Sequence, residues 1–147
     1  MKNINQKDYQ SYVDKKIPKP NYFKNCIKAF VVGGLICIIG QIITNTLKNY
    51  GLSPKNVAAA TAIILVFLGA LFTGLGLYDK LGKFAGAGSI VPITGFANSI
   101  VSPAMEYKRE GYVLGIAAKM FTIAGPVLVY GFGTSVFIGI IYLLFKA

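Results

Sequence analysis

The chain has no histidine, and only five of its 147 residues are acidic. These shortages remove the side chains from which a general base, a carboxylate pair or a metal-ligand cluster is ordinarily assembled, so neither an enzyme nor a cofactor is expected. Glu106 and Glu110 would share one face of a helix, but they flank Lys108 and Arg109 and read as a solvated charge cluster at an interface. Cysteine is as scarce. Cys26 and Cys37 would stand about 16 Å apart along a helix, too far for a disulfide, and with no histidine beside them they support no zinc site. Both are expected to be packing residues.

Charge is missing from long stretches of the chain. Residues 29–47 and 56–78 contain no charged side chain, hydrophobic residues make up 54% of the sequence, and the mean hydropathy is +0.60. A helix of about 20 residues crosses a hydrocarbon core of about 30 Å, so spans are expected near 29–47 and 57–78. Tyr50, Gly51, Leu52, Ser53 and Pro54 join them as a tight turn, with Ser53 placed to cap the second helix and Pro54 suited to its first turn. An antiparallel hairpin in a membrane follows.

The net charge of +10 is concentrated before the first span. Lys2, Lys7, Lys15, Lys16, Lys19, Lys24 and Lys28 are opposed there only by Asp8 and Asp14. Such a flank marks the cytoplasmic side and is drawn to anionic lipid headgroups, so residues 1–28 read as a basic arm at the membrane surface with the N-terminus cytoplasmic. No nucleic-acid recognition module accompanies the charge. A polar arm of this length ahead of a full-length span also argues against a cleavable signal peptide. Residues 29–147 then form a single transmembrane domain.

Residues 84–105 are uncharged for a membrane's width, yet they contain Gly86, Gly88, Pro92, Gly95 and Pro103 together with Ser89, Thr94, Asn98, Ser99 and Ser102. Inside lipid every backbone N–H and C=O needs a partner, so a segment this rich in helix breakers must be shielded by protein or line a watery path. Either a broken spanning helix or a re-entrant element fits. Residues 112–145 hold one charge, Lys119, and as one straight helix would be about 50 Å long. That stretch is expected to bend, break or double back, with Gly125 and Pro126 as the hinge. The fold class is all-α, a small polytopic membrane protein of about four segments. Gly33, Gly34, Gly40, Gly69 and Gly74 are expected to let helices approach closely.

YDKLGKFAGAGSIVPITGFANS from Tyr78, SPAMEYKREGYVLGIAAKMFTIAGPV from Ser102 and GGLICIIGQ from Gly33 closely resemble the stage V sporulation protein AC family of endospore-forming bacteria. The shorter AE family shares the central motif. The resemblance covers roughly residues 30–145 and implies a component of the forespore and spore inner membrane complex that moves dipicolinic acid with calcium, inward in spore formation and outward in germination. It also implies tension-sensitive channel behaviour, with the soluble AD protein and the membrane protein AE as partners. It supplies no catalytic residue.

Two functions follow from these readings. One is a conduit subunit, in which Gly86, Gly88, Pro92, Thr94, Gly95, Asn98, Ser99 and Ser102 shape a path or gate, and Asp79, Glu106, Arg109 and Lys119 form a charged mouth. The other is a non-conducting scaffold, whose glycine-rich faces hold a pore-forming and a plug subunit.

Overall fold

The computed structural model describes residues 9, 11–13, 16 and 21–146. Most of the basic arm lies outside those residues. The described chain forms α1 (Tyr22–Asn49), α2 (Pro54–Gly74), α3 (Leu77–Ala85), α4 (Ala87–Ile90) and α5 (Ile93–Glu106). A 3-10 turn (Tyr107–Glu110) and a π-helical turn (Tyr112–Ala117) then lead into α6 (Ala118–Lys146), and no strand occurs among the described residues.

Three stretches are long and apolar enough to cross a membrane: Tyr22–Asn49, Pro54–Gly74 and Tyr112–Phe145. The first two form the expected hairpin. Gly40 packs against Leu65, and the hydroxyls of Thr44 and Thr61 lie 3.1 Å apart, so the pairing falls in α2 as it rises in α1. Pro54 opens α2 as its composition demands, although Ser53 makes no side-chain cap. The helix stops at Gly74 rather than at residue 78, because Gly76 adopts a left-handed φ of +69° that turns the chain away.

The last stretch departs from expectation. Helix α6 runs unbroken through Gly125 and Pro126, and it neither stops nor doubles back there. Proline removes one backbone donor, but in an apolar setting abandoning the neighbouring hydrogen bonds would cost more than one missing link. The irregular geometry falls earlier, where Glu106, Lys108, Arg109 and Glu110 return the chain to a polar environment and Gly111 turns it at φ +95°. Helix α6 then lies back along α5, with Phe96 and Ile100 facing Met120, Phe121, Ala124 and Leu128. Gly115 is pressed so closely on the carbonyl of Tyr107 that a Cβ would stand 2.5 Å from it.

Helix α5 runs in the same direction as α2. A Cβ at Gly69 would lie 2.7 Å from the carbonyl oxygen of Thr94, and the hydroxyl of Thr73, one turn on, lies 2.9 Å from Asn98 Oδ1. Both pairings advance together along the two helices. Helices α3, α4 and α5 therefore gather at the end of the bundle where α1 begins and α2 ends. Helix α3 is amphipathic, burying Tyr78 and Ala85 while exposing Asp79, Lys80 and Lys83.

Few side chains are enclosed: Val32, Val57, Tyr78, Ala85, Ala97 and Ala124 are the buried apolar and aromatic ones among the described residues. Large apolar residues instead cover the outside, including Phe30, Ile63, Phe67, Phe121, Phe132 and Phe137. This inversion of a soluble protein is what lipid as solvent requires. Cys26 and Cys37 are both free and exposed, not packed as composition suggested. At these depths an apolar solvent removes the penalty that keeps such residues inside a water-soluble core.

Candidate functional site

The glycines and prolines between residues 76 and 95 act chiefly by shaping backbone. Gly76 and Gly86 carry positive φ and set α3 off from its neighbours on both sides. Gly86, at φ +54° and ψ −123°, lies where an L side chain is strongly disfavoured. Gly88 presses the short α4 onto α1, facing Gly33 and the carbonyl of Ala29. Pro92 is extended, at φ −62° and ψ +159°, and serves as the residue from which α5 starts. Gly95 N–H closes the turn onto the Pro92 carbonyl at 2.8 Å.

Around that frame sits a hydrogen-bonded polar knot. The Tyr78 hydroxyl is 2.7 Å from the carbonyl oxygen of Ser89 and 2.9 Å from Thr94 Oγ1. A phenol has a single proton and a carbonyl only accepts, so that proton goes to Ser89 and the Thr94 hydroxyl completes the pair with the phenolic oxygen. Ser89 is fully buried, and its own hydroxyl donates to the Gly86 carbonyl at 3.0 Å. Thr73 ties α5 to α2: its hydroxyl, with a single proton, lies 2.7 Å from the Gly69 carbonyl oxygen and 2.9 Å from Asn98 Oδ1. Among the described residues no buried side-chain nitrogen or oxygen lacks a partner. Satisfied networks of this kind fix one geometry, whereas partly satisfied ones are costly.

Beside the knot opens a cleft of about 360 Å³, lined by Tyr78, Asp79, Gly82, Lys83, Ser89, Ile90, Gly95, Asn98 and Ser99. Four of the residues singled out from sequence meet there: Asp79, Gly95, Asn98 and Ser99. Thr94 stands behind the wall, bonded to Tyr78, and Gly88 is committed to α1. Ser102 is exposed and does not line the cleft. The hydroxyl of Ser99 donates to the Phe96 carbonyl at 2.8 Å.

The four charges read as one mouth separate into two groups. Asp79 pairs with Lys83 at 2.8 Å on the rim of the cleft, one turn apart on α3. Glu106 ends α5 about 10 Å beyond Ser99 along the helix axis, Arg109 lies in the turn after it, and both are exposed. Lys119 places its ammonium 4.4 Å from the centroid of the Tyr107 ring, a cation–π contact that ties the start of α6 to that turn. Two residues central to the site, Tyr78 and Lys83, were not singled out from sequence. The four-residue spacing of Asp79 and Lys83 carried the signal for the second; no spacing marked the first. No group of three potential metal ligands occurs among the described residues.

This central element and its flanking helices fall within a match to the SpoVAC/SpoVAEB sporulation membrane protein family, which extends over residues 25–141. The chain is also 49% identical to the stage V sporulation protein AC of Bacillus subtilis (strain 168), across 99% of this chain and 97% of that protein. No solved structure matches it. Three membrane-length helices, a glycine-shaped central element and a match of this extent lead to one conclusion: the chain belongs to the SpoVAC/SpoVAEB family of sporulation membrane proteins.

Proposed function

We propose that this chain is a membrane subunit of the complex that moves dipicolinic acid with calcium across the spore inner membrane, and that α3, α4 and α5 form its re-entrant, path-shaping element. The observation that carries the reading is the shared direction of α2 and α5. After α2 reaches one side of the membrane, α3 lies along that surface. The chain enters as far as the level of Gly69, about a quarter of the way back along α2, and α5 returns to the side it came from. Short helices ending inside a membrane place unpaired backbone amides and carbonyls at depth, as solute-handling proteins do.

On this topology the three spans put the two chain ends on opposite faces. Lys24, Lys28, Lys80, Lys83, Lys108 and Arg109 then share the N-terminal side, while Lys48 and Lys55 lie on the other. That imbalance supports a cytoplasmic N-terminus. Asn98, Ser99 and the Asp79–Lys83 pair offer a carboxylate-bearing solute and its cation both donors and acceptors. Three spans are too few to enclose a watery route, so the path is completed by further copies or by the AE protein, with AD acting from the soluble side. Gating by tension belongs to the same reading.

A second reading, a scaffold that holds the conducting subunit, draws support from α6, whose residues 126–145 are all exposed. Reconstitution separates the two. Purified protein in liposomes loaded with calcium dipicolinate should release it under applied tension, and Asn98→Leu should abolish release at unchanged protein level. Vesicles that stay silent until AE is added, with release insensitive to Asn98→Leu, would favour the scaffold.

A further inference from the structure

A second cleft, of about 350 Å³, lies between the first two turns of α1 and the end of α3. Tyr22, Asn25, Cys26 and Ala29 form one wall and Lys83, Phe84, Ala85, Gly86 and Ala87 the other. It shares only Lys83 with the cleft described above. We infer that this cleft seats the headgroup of one anionic phospholipid, with the lipid's glycerol region against Tyr22, Phe84 and Ala29.

Three features point to that occupant. The first is level: the cleft lies where a membrane-spanning helix enters lipid and an amphipathic helix lies beside it, the depth at which phosphates and glycerol backbones sit. The second is charge. The two walls and their adjacent turns carry Lys24, Lys28, Lys80 and Lys83 against a single carboxylate, Asp79. Asp79 neutralises Lys83 in part, which leaves a net attraction for one anion and excludes a cation. The third is order. The ammonium of Lys28 is held 4.7 Å from the centroid of the Phe84 ring, so a charge on α1 is already docked on the opposite wall. The lining itself is mixed, with Asn25 and Lys83 to receive a phosphate and aromatic or aliphatic groups for the rest of the molecule. A soluble anion would have no use for the second set.

Cys26, exposed and in the wall, reports on occupancy. In a Cys37→Ser background, maleimide labelling of Cys26 would be timed in phosphatidylcholine vesicles and in vesicles containing phosphatidylglycerol. Phosphatidylglycerol should slow labelling. Each lysine near a membrane surface contributes about 1 kcal/mol, or about fivefold in affinity, so Lys28→Gln with Lys83→Gln should raise the phosphatidylglycerol needed for half protection by about 25-fold. The same charge change on the opposite side, Lys48→Gln with Lys55→Gln, should leave the protection curve in place. Equal rates in the two vesicle types would overturn the inference. So would slowing that persists in the Lys28/Lys83 variant, which marks a general surface effect, or protection by soluble glycerol phosphate in phosphatidylcholine vesicles, which marks a free-anion site. Native mass spectra of the detergent-purified protein should retain one phosphatidylglycerol and lose it in the Lys28/Lys83 variant alone.

Discussion

Gly88 and Ala29 meet backbone to backbone: a Cβ at Gly88 would stand 2.2 Å from the Ala29 carbonyl oxygen and 2.7 Å from its Cα. No rotamer relieves such a clash, because both partners are main chain. Gly88→Ala should push α4 off α1 and lower thermal stability in detergent, by about 1–3 kcal/mol on the scale of overpacked cores. Gly34→Ala, where nothing lies within 4 Å, should be neutral or mildly stabilising. Melting temperatures of the two variants check the contrast.

The two turns around α3 should respond differently to one substitution. Gly76 is left-handed in the region asparagine tolerates, whereas Gly86 is at φ +54° and ψ −123°. Gly76→Asn should retain most of the protein's abundance in membranes and Gly86→Asn should not, with a difference on the order of 1–3 kcal/mol. Quantitative blotting of membrane fractions is sufficient.

Tyr78→Phe removes one hydroxyl and strands two groups, the Ser89 carbonyl and the Thr94 hydroxyl. Loss of about 1–3 kcal/mol is expected. Adding Thr94→Val should cost less than the sum of the single changes, since the second group no longer needs a partner. A double-mutant cycle of unfolding free energies measures that coupling.

Single cysteines on a background lacking Cys26 and Cys37 should divide the central element. Asn98→Cys and Ser99→Cys, on the cleft wall, should react with small water-soluble thiol reagents, and Thr94→Cys, behind Tyr78, should be protected. Uniform protection at all three positions would remove the case for a watery cleft. Asp79→Asn should leave stability almost unchanged, because its bridge to Lys83 is 70–76% exposed and such pairs are worth little.

The hairpin was legible in sequence because charge-free runs of membrane length have few alternative fates. Residues 112–145 were less legible: their length asked for a bend, a break or a reversal, with Gly125-Pro126 as the hinge, and α6 runs through that pair without a break or reversal. Asp79, Gly95, Asn98 and Ser99 could be nominated as polar or backbone-permissive residues in an apolar region. Their convergence on one cleft could not, since it depends on the direction of α5, and that direction is set by the fit of Gly69 to Thr94. Glu106 and Arg109 were grouped with Asp79 by charge alone; Asp79 lies on α3, whereas the other two stand at the end of α5 and in the turn after it.

Among the described residues, all three short helices sit at one end of the bundle, while the other end holds only the spans. On the topology proposed above, the described part of the protein is therefore broader in one leaflet than in the other. Copies packed side by side would splay, and a bilayer that bends to fit them would curve away from their wide ends. Lateral pressure in the two leaflets acts on unequal cross-sections, so lipids of different headgroup size should be sorted around the protein even where they touch no specific residue.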